Sequence, residues 1–176
     1  AKSGATVTPY AELLDFSGFN TSMTIGSVTR ALLSGPITPA DPNRYAFGNG
    51  GGILAVTSNL GDGASTPRGL SVVSDTAISN NSLGLILRGA NSFSGNVTVD
   101  NSFLVLDSQF AFPAKAGQGI SLTTTTGAYL SATEQSNVSS FRRLMQAVNG
   151  NYSPLSILGF DSHGYIDAQI LGSYTT

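Results

Sequence analysis

The segment from Leu85 to Leu106 constrains the fold more than any other part of the chain. It holds three short apolar or β-branched runs: Leu85-Ile86-Leu87, Val97-Thr98-Val99 and Phe103-Leu104-Val105-Leu106. Gly89-Ala90-Asn91, Ser94-Gly95-Asn96 and Asp100-Asn101-Ser102 punctuate them. Each run is too short for a helix, and each break offers residues that turn easily. Three strands and their turns in so short a stretch predict one coil of a winding β-structure.

The same rhythm extends along the chain. Strand-like runs begin at Ile53, Leu70, Leu85, Leu104 and Ile120, at intervals that stay nearly constant from one run to the next. A near-constant step with variable turns predicts a solenoid in which each coil returns a strand to the same sheet. Hairpins would give shorter spacings with Asn-Gly or Asp-Gly between strands, and Asp62-Gly63 leaves a local hairpin open as an alternative. The expected core comprises Ile53, Leu70, Leu85, Leu87, Val97, Val99, Leu104, Leu106 and Ile120. Gly89, Asn91, Gly95, Asn96 and Asn101 are read as structural turns. Asn91, Asn96 and Asn101 are expected to stack between coils and satisfy turn amides.

Composition supports an all-β reading. Only 10% of the 176 residues are charged, against about 25% in an average domain. With 40% apolar residues and 21 glycines, the chain is not disordered; it fits one domain with many tight turns. Roughly 70% of its unfolded surface can be buried at this size. Eight Lys plus Arg against ten Asp plus Glu leave no basic face for nucleic acid, and Arg142-Arg143 is the sole adjacent basic pair. A polybasic segment for membrane surfaces is missing too. Cysteine is absent, which excludes disulfides, thiolate metal sites and a Cys nucleophile. Absence of Trp weakens a sugar-stacking platform. No signal peptide or membrane-spanning run is recognisable, so direct membrane insertion is not expected. The start at Ala1 rather than Met suits a processed product or an excised fragment.

The chain divides into three parts of one continuous domain. Residues 1–44 read as an opening and capping segment: Ala11-Glu12-Leu13-Leu14 suits a short helix, and Phe16 to Val28 alternates like a strand. Pro36, Pro39 and Pro42 lack N–H donors, so Gly35 to Asn43 is expected to project from the body as a loop. Residues 45–135 carry the coils. Residues 136–176 hold a short amphipathic helix near 138–149 and two closing strands, Leu155 to Phe160 and Tyr165 to Leu171. Phe141, Leu144, Met145 and Val148 form the helix face; Ser139 or Ser140 caps it, and Asn149-Gly150 ends it. That face needs a partner surface, most simply a flank or open end of the solenoid.

The stretch Gly89-Ala90-Asn91-Ser92-Phe93-Ser94-Gly95-Asn96-Val97-Thr98-Val99, flanked by the Leu85 and Leu104 runs, resembles the autotransporter-associated β-strand repeat. Tyr45-Ala46-Phe47-Gly48 followed by Gly51-Gly52-Ile53-Leu54-Ala55-Val56 is similar to the coil that often precedes it. Gly127-Ala128-Tyr129-Leu130, the helix and Ile157-Leu158-Gly159-Phe160-Asp161-Ser162 also resemble long repeat-bearing surface proteins of Verrucomicrobia-like bacteria. Two departures stand out: Asp100-Asn101-Ser102-Phe103 replaces Asn-Ala-Gly-Thr, and Ser92-Phe93-Ser94 replaces Thr-Tyr-Thr. The resemblance implies a right-handed parallel β-helix exported to the cell surface. It carries over no catalytic residues. Nothing in the chain supplies an autotransporter's outer-membrane barrel.

Candidate chemistry is sparse. His163, in Asp161-Ser162-His163-Gly164, needs a nucleophile and an orienting group for a Ser–His–Asp role. Polar residues before a Gly more often make a turn. Asp62, Asp75, Asp100, Asp107, Glu134, Asp161 and Asp167 are the carboxylates a glycoside-cleaving pair would draw on. They form no dense cluster, although a β-helix can bring Asp75 and Asp107 together. Gly48-Asn49-Gly50-Gly51-Gly52 lacks the Lys-Ser/Thr of a phosphate loop, and Asp62-Gly63 alone does not make a calcium turn. Sequons at Asn20, Asn80, Asn96, Asn137 and Asn151 matter only in a glycosylating host.

The reading that follows is a non-catalytic structural module at the cell surface or outside the cell, a spacer or fibre subunit able to associate end to end or with neighbouring modules. No cofactor and no metal are expected. A polysaccharide-acting β-helical enzyme and an adhesin are the alternatives, with Tyr10, Phe16 and Phe19 as the candidate adhesive patch. Glycan binding has no motif to support it.

Overall fold

A computed structural model describes residues 7–73, 84–100, 102–108 and 110–113 in full, and the backbone of four further strands between 120 and 170. The strands are β1 Leu14–Asp15, β2 Arg30–Leu33, β3 Ile37–Thr38, β4 Arg44–Gly48, β5 Ile53–Val56, β6 Gly69–Val73 and β7 Leu85–Leu87. They continue as β8 Val97–Asp100, β9 Phe103–Leu106, β10 Ile120–Thr123, β11 Ala128–Thr133, β12 Leu155–Phe160 and β13 Tyr165–Ile170. Among the described residues there is no helix. The expected helix over 138–149, with Phe141, Leu144, Met145 and Val148, lies outside them, as do Asn101 and the side chain of Ile120.

The chain is a parallel β-solenoid. From β4 onward successive strands alternate between two walls: β5, β7, β9 and β11 stack with β2 in one sheet, while β4, β6, β8 and β10 stack in another. β1 and β3 pair in parallel on a third side. This corrects the single series of steps. Ile53, Leu85 and Leu104 do belong to one sheet, but Leu70 and Ile120 belong to the other, where both pair with Val97. The intervals from Ile53 to Leu70 and from Leu70 to Leu85 are passages between walls, whereas Leu85 to Leu104 is a full coil. Coils also differ in length. Along the inward ladder Leu33, Val56, Leu87 and Leu106, whose register continues to the backbone of Ala132, the longest coil runs from Val56 to Leu87 and the shortest from Leu87 to Leu106.

The winding starts before Tyr45. Tyr10, Leu14 and Ile25 match Leu33, Ile37 and Phe47 of the next coil. Ala11 to Leu14 is thus not helical; Leu14 enters β1. Gly35 to Asn43 does not project either. Ile37–Thr38 is β3, and Gly35, Pro39 and Ala40 are buried, because the chain here forms a wall of the coil. Asp62-Gly63 makes no hairpin: the chain crosses from β5 in one sheet to β6 in the other.

Patterning distinguishes the two large sheets. β6 and β8 alternate buried and half-buried positions, so one face meets the core and Ser71 and Thr98 face outward. β7 is buried at all three positions, and β5 and β9 at their last three. Continuous apolar runs of this kind belong to strands covered on both faces. Leu54, Val56, Leu85, Leu87, Leu104 and Leu106 point into the column with Leu70, Val72, Val97, Val99 and Phe93. Ala55, Ile86 and Val105 form a separate outer ladder, flanked by Leu32, Ile53 and Phe103. Ile53 is therefore corrected from the inner column to the outer face; Leu54 takes the inward place.

The two closing strands occupy Leu155–Phe160 and Tyr165–Ile170. They extend the seven-stranded sheet, but β13 runs antiparallel to both β11 and β12. Parallel stacking ends at that strand.

Candidate functional site

The polar side chains with most partners gather at the corners after the seven-stranded sheet. Asn91 follows β7 and is 8% exposed. Its Oδ1 accepts from the Leu60 N–H at 2.9 Å, and its Nδ2 donates to the Ala111 carbonyl at 2.6 Å. The Asn91 N–H also donates to Phe110 O. One side chain thereby ties the coil before it to the coil after it. A buried amide must be satisfied in both halves, and this position satisfies both. Asn91 bridges coils as a single residue rather than as part of an asparagine stack, because its neighbours in the stack are Leu60 and Phe110. Asn96 is exposed at the entry to β8, where its carbonyl accepts from Leu70 N–H.

Nearby residues support the same corner. The Ser58 hydroxyl donates to Gly35 O, and Asn59 Oδ1 accepts from Ala90 N–H at 2.9 Å. Gly89 is required by contact: a Cβ there would collide with the Ser58 carbonyl. Gly95 is similarly pressed against the Arg68–Gly69 backbone.

A second corner joins three coils. Asp62 Oδ1 accepts from the N–H of Arg68 at 2.9 Å and of Ser94 at 2.8 Å, while Oδ2 accepts from the Ser94 hydroxyl at 2.7 Å. The Arg68 guanidinium lies 5.5 Å from the centre of the Tyr45 ring and donates to Tyr45 Oη and Pro42 O. The buried Tyr45 hydroxyl donates to Gly61 O at 2.9 Å. The sequence marks Asp62 as a turn residue and as a carboxylate of a candidate pair, but not as a bridge, since its partner Ser94 is 32 positions away.

The other described carboxylates are dispersed. Asp107 pairs with Arg88, Asp41 pairs with Arg44 at 3.1 Å, and Asp100 ends β8. Asp75, Glu134, Asp161 and His163 lie outside the described residues; Asp167 is placed only as a backbone position in β13. Among the described residues, no group of three His, Cys, Asp or Glu could hold a metal. Gly48 to Gly52 forms the corner before β5, with Asn49 at φ 61°. Gly26, Gly50 and Gly52 there have backbone of the neighbouring coil where a Cβ would go.

Two groups of the first coil have displaced acidities. The Glu12 carboxylate beside Tyr10 raises its phenol, with burial and a hydrogen bond adding in the same direction. Donation from the Ser17 N–H, and secondarily its side chain, holds Asp15 below the ordinary carboxylate range. Phe16 and Phe19 meet edge to face with centroids 5.9 Å apart, and Phe19 is 60% exposed.

Comparison of the chain with protein-family models, with curated proteins and with solved structures finds no match. The fold and these corners define the molecule as a β-solenoid whose most connected polar groups join one coil to the next.

Proposed function

We propose that this chain is a non-catalytic structural module, a surface spacer or fibre subunit working outside the cell. The observation that carries this reading is how the polar side chains are used. Asn91, Asp62, Tyr45 and Arg68 are engaged in coil-to-coil bonds around an apolar column, so they stiffen a rod rather than converge on a substrate. The apolar column supplies most of the stability, and the hydroxyl-bearing outer face of the four-stranded sheet keeps one side hydrated.

Its partner is another copy or a neighbouring module. At the first coil the column is incompletely covered: Tyr10 is 45% exposed and Leu14 and Ile25 are half-buried, whereas Leu33 and Phe47 of the next coil are buried. An open coil presents unpaired backbone and apolar cross-section, both of which favour association. Electron microscopy and concentration-dependent scattering of the purified chain test this. Elongated end-to-end particles are expected, and a compact monomer at every concentration would overturn the assembly reading.

The exposed Phe16–Phe19 pair favours one further reading, an adhesive module. Binding on a glycan array that is lost on Phe19→Ala would favour it over a passive spacer.

A further inference from the structure

On the outer face of the seven-stranded sheet, Val7, Arg30, Ala31, Leu32, Ala55 and Arg88 line an open groove of about 210 Å³. Its floor is part of the outer apolar ladder, where Leu32 and Ala55 are register partners. Two guanidinium groups flank it. Arg30 begins β2, and Arg88 follows β7 two coils further along the stack. Their backbones lie about 13 Å apart along the strands and about 10 Å across them, so the long side chains must reach toward each other to share one groove.

The two arginines differ in one respect. Arg88 Nε donates to Asp107 Oδ2 at 2.5 Å. Arg44 and Arg68 are likewise engaged, by Asp41 and by Tyr45. Arg30 is exposed and has no ion-pair or hydrogen-bond partner among the described residues. Among the described lining residues, Arg30 therefore offers a guanidinium for one carboxylate.

We propose that this groove binds an amphiphilic monocarboxylate, its carboxylate on the Arg30 guanidinium and its apolar body over Leu32 and Ala55. Guanidinium and carboxylate match as a two-pronged pair, and Leu32 with the edge of Ala55 offers the apolar body a contact that a small polar anion would not use. The site is independent of the structural role proposed above, since it uses the flank of the rod rather than its end.

Octanoate is the probe, with 1-octanol and acetate as controls that lack the charge or the apolar body. Backbone amide shifts at Arg30 to Leu32, Ala55 and Arg88 report binding to the whole chain. Octanoate is expected to saturate these shifts at lower concentration than either control, and added salt is expected to weaken it. Arg30→Ala should weaken octanoate about fivefold, as loss of an exposed ion pair does, and leave octanol unchanged. Arg30→Lys should restore much of the difference. Leu32→Ser should weaken octanoate and octanol together. Equal binding of octanoate and octanol, an unaffected Arg30→Ala variant, or shifts scattered away from the groove would overturn the proposal.

Discussion

Asn91 and Ala111, twenty positions apart, are joined by a 2.6 Å hydrogen bond from the Asn91 amide to the Ala111 carbonyl. Because the same side chain accepts from Leu60 N–H, its loss strands a donor on one coil and an acceptor on another. Each buried unsatisfied group costs about 1–3 kcal/mol. Asn91→Ala should therefore destabilise the fold by about 2–4 kcal/mol, lowering the melting temperature by roughly 5–15 °C. A thermal melt that hardly moves would mean the corner relaxes around the gap.

Asn91→Asp separates the two halves of that bond. A carboxylate still accepts from Leu60 but cannot donate to Ala111, and burial disfavours its charge. Its folded-state pKa would be raised above about 3.9, the unfolded value. The variant should then lose stability as pH rises through and above that value, and recover part of it in acid. Denaturant midpoints for the variant and the parent across the acid range check the sign.

Burial on both faces of the seven-stranded sheet makes a different prediction for each wall. Ile86 points outward yet is 8% exposed, whereas Ser71 faces outward from the four-stranded sheet and is half-buried. Ile86→Lys should cost about 3 kcal/mol or more by burying an unpaired charge, and Ser71→Lys should change stability by about 0.5 kcal/mol or less. Equal tolerance at both positions in chemical denaturation would contradict two-sided burial.

Gly48 has φ 133°, and a Cβ there would collide with the carbonyl oxygen of Val73 on the neighbouring strand. Strain and collision act together, so Gly48→Ala should destabilise by about 3 kcal/mol. Gly18, with open space around it, should accept Ala with little change. Paired melts of the two variants check the contrast.

Asp15 links the first coil to pH. Its folded-state pKa is lowered, so its contribution is present above the unfolded value and is lost as pH falls through the folded one. Replacing Asp15 with Asn should flatten the acid limb of the stability curve below about pH 4. NMR titration of the carboxyl group measures the displacement directly.

The winding itself was legible in the runs at Leu85, Val97 and Leu104, because apolar strands and turn residues are local signals. The assignment of strands to walls was less so. Ile53 to Leu70 spans the gap between walls, while the similar interval from Leu85 to Leu104 closes a whole coil, so spacing alone mixes two different distances. Only the contrast between the alternating Gly69–Val73 and the continuous Leu85–Leu87 could have separated the sheets. The Pro-rich stretch misled for a related reason. Proline's missing donor suggested a detached loop, but β3 needs only two paired residues to form part of a wall. The bonding roles of Asn59 and Asp62 had no local signature, since Ala90 and Ser94 meet them only after a full coil.

Coils of unequal length, from the long Val56-to-Leu87 passage to the short Leu87-to-Leu106 one, keep the same inward ladder in register. Contour length and stacking are thus uncoupled. Residues gained or lost at a corner leave the rise of the rod unchanged, provided Leu33, Val56, Leu87 and Leu106 remain in line. The sequence between rungs is free to drift in length, much as unequal loops of rope can hang from evenly spaced pegs.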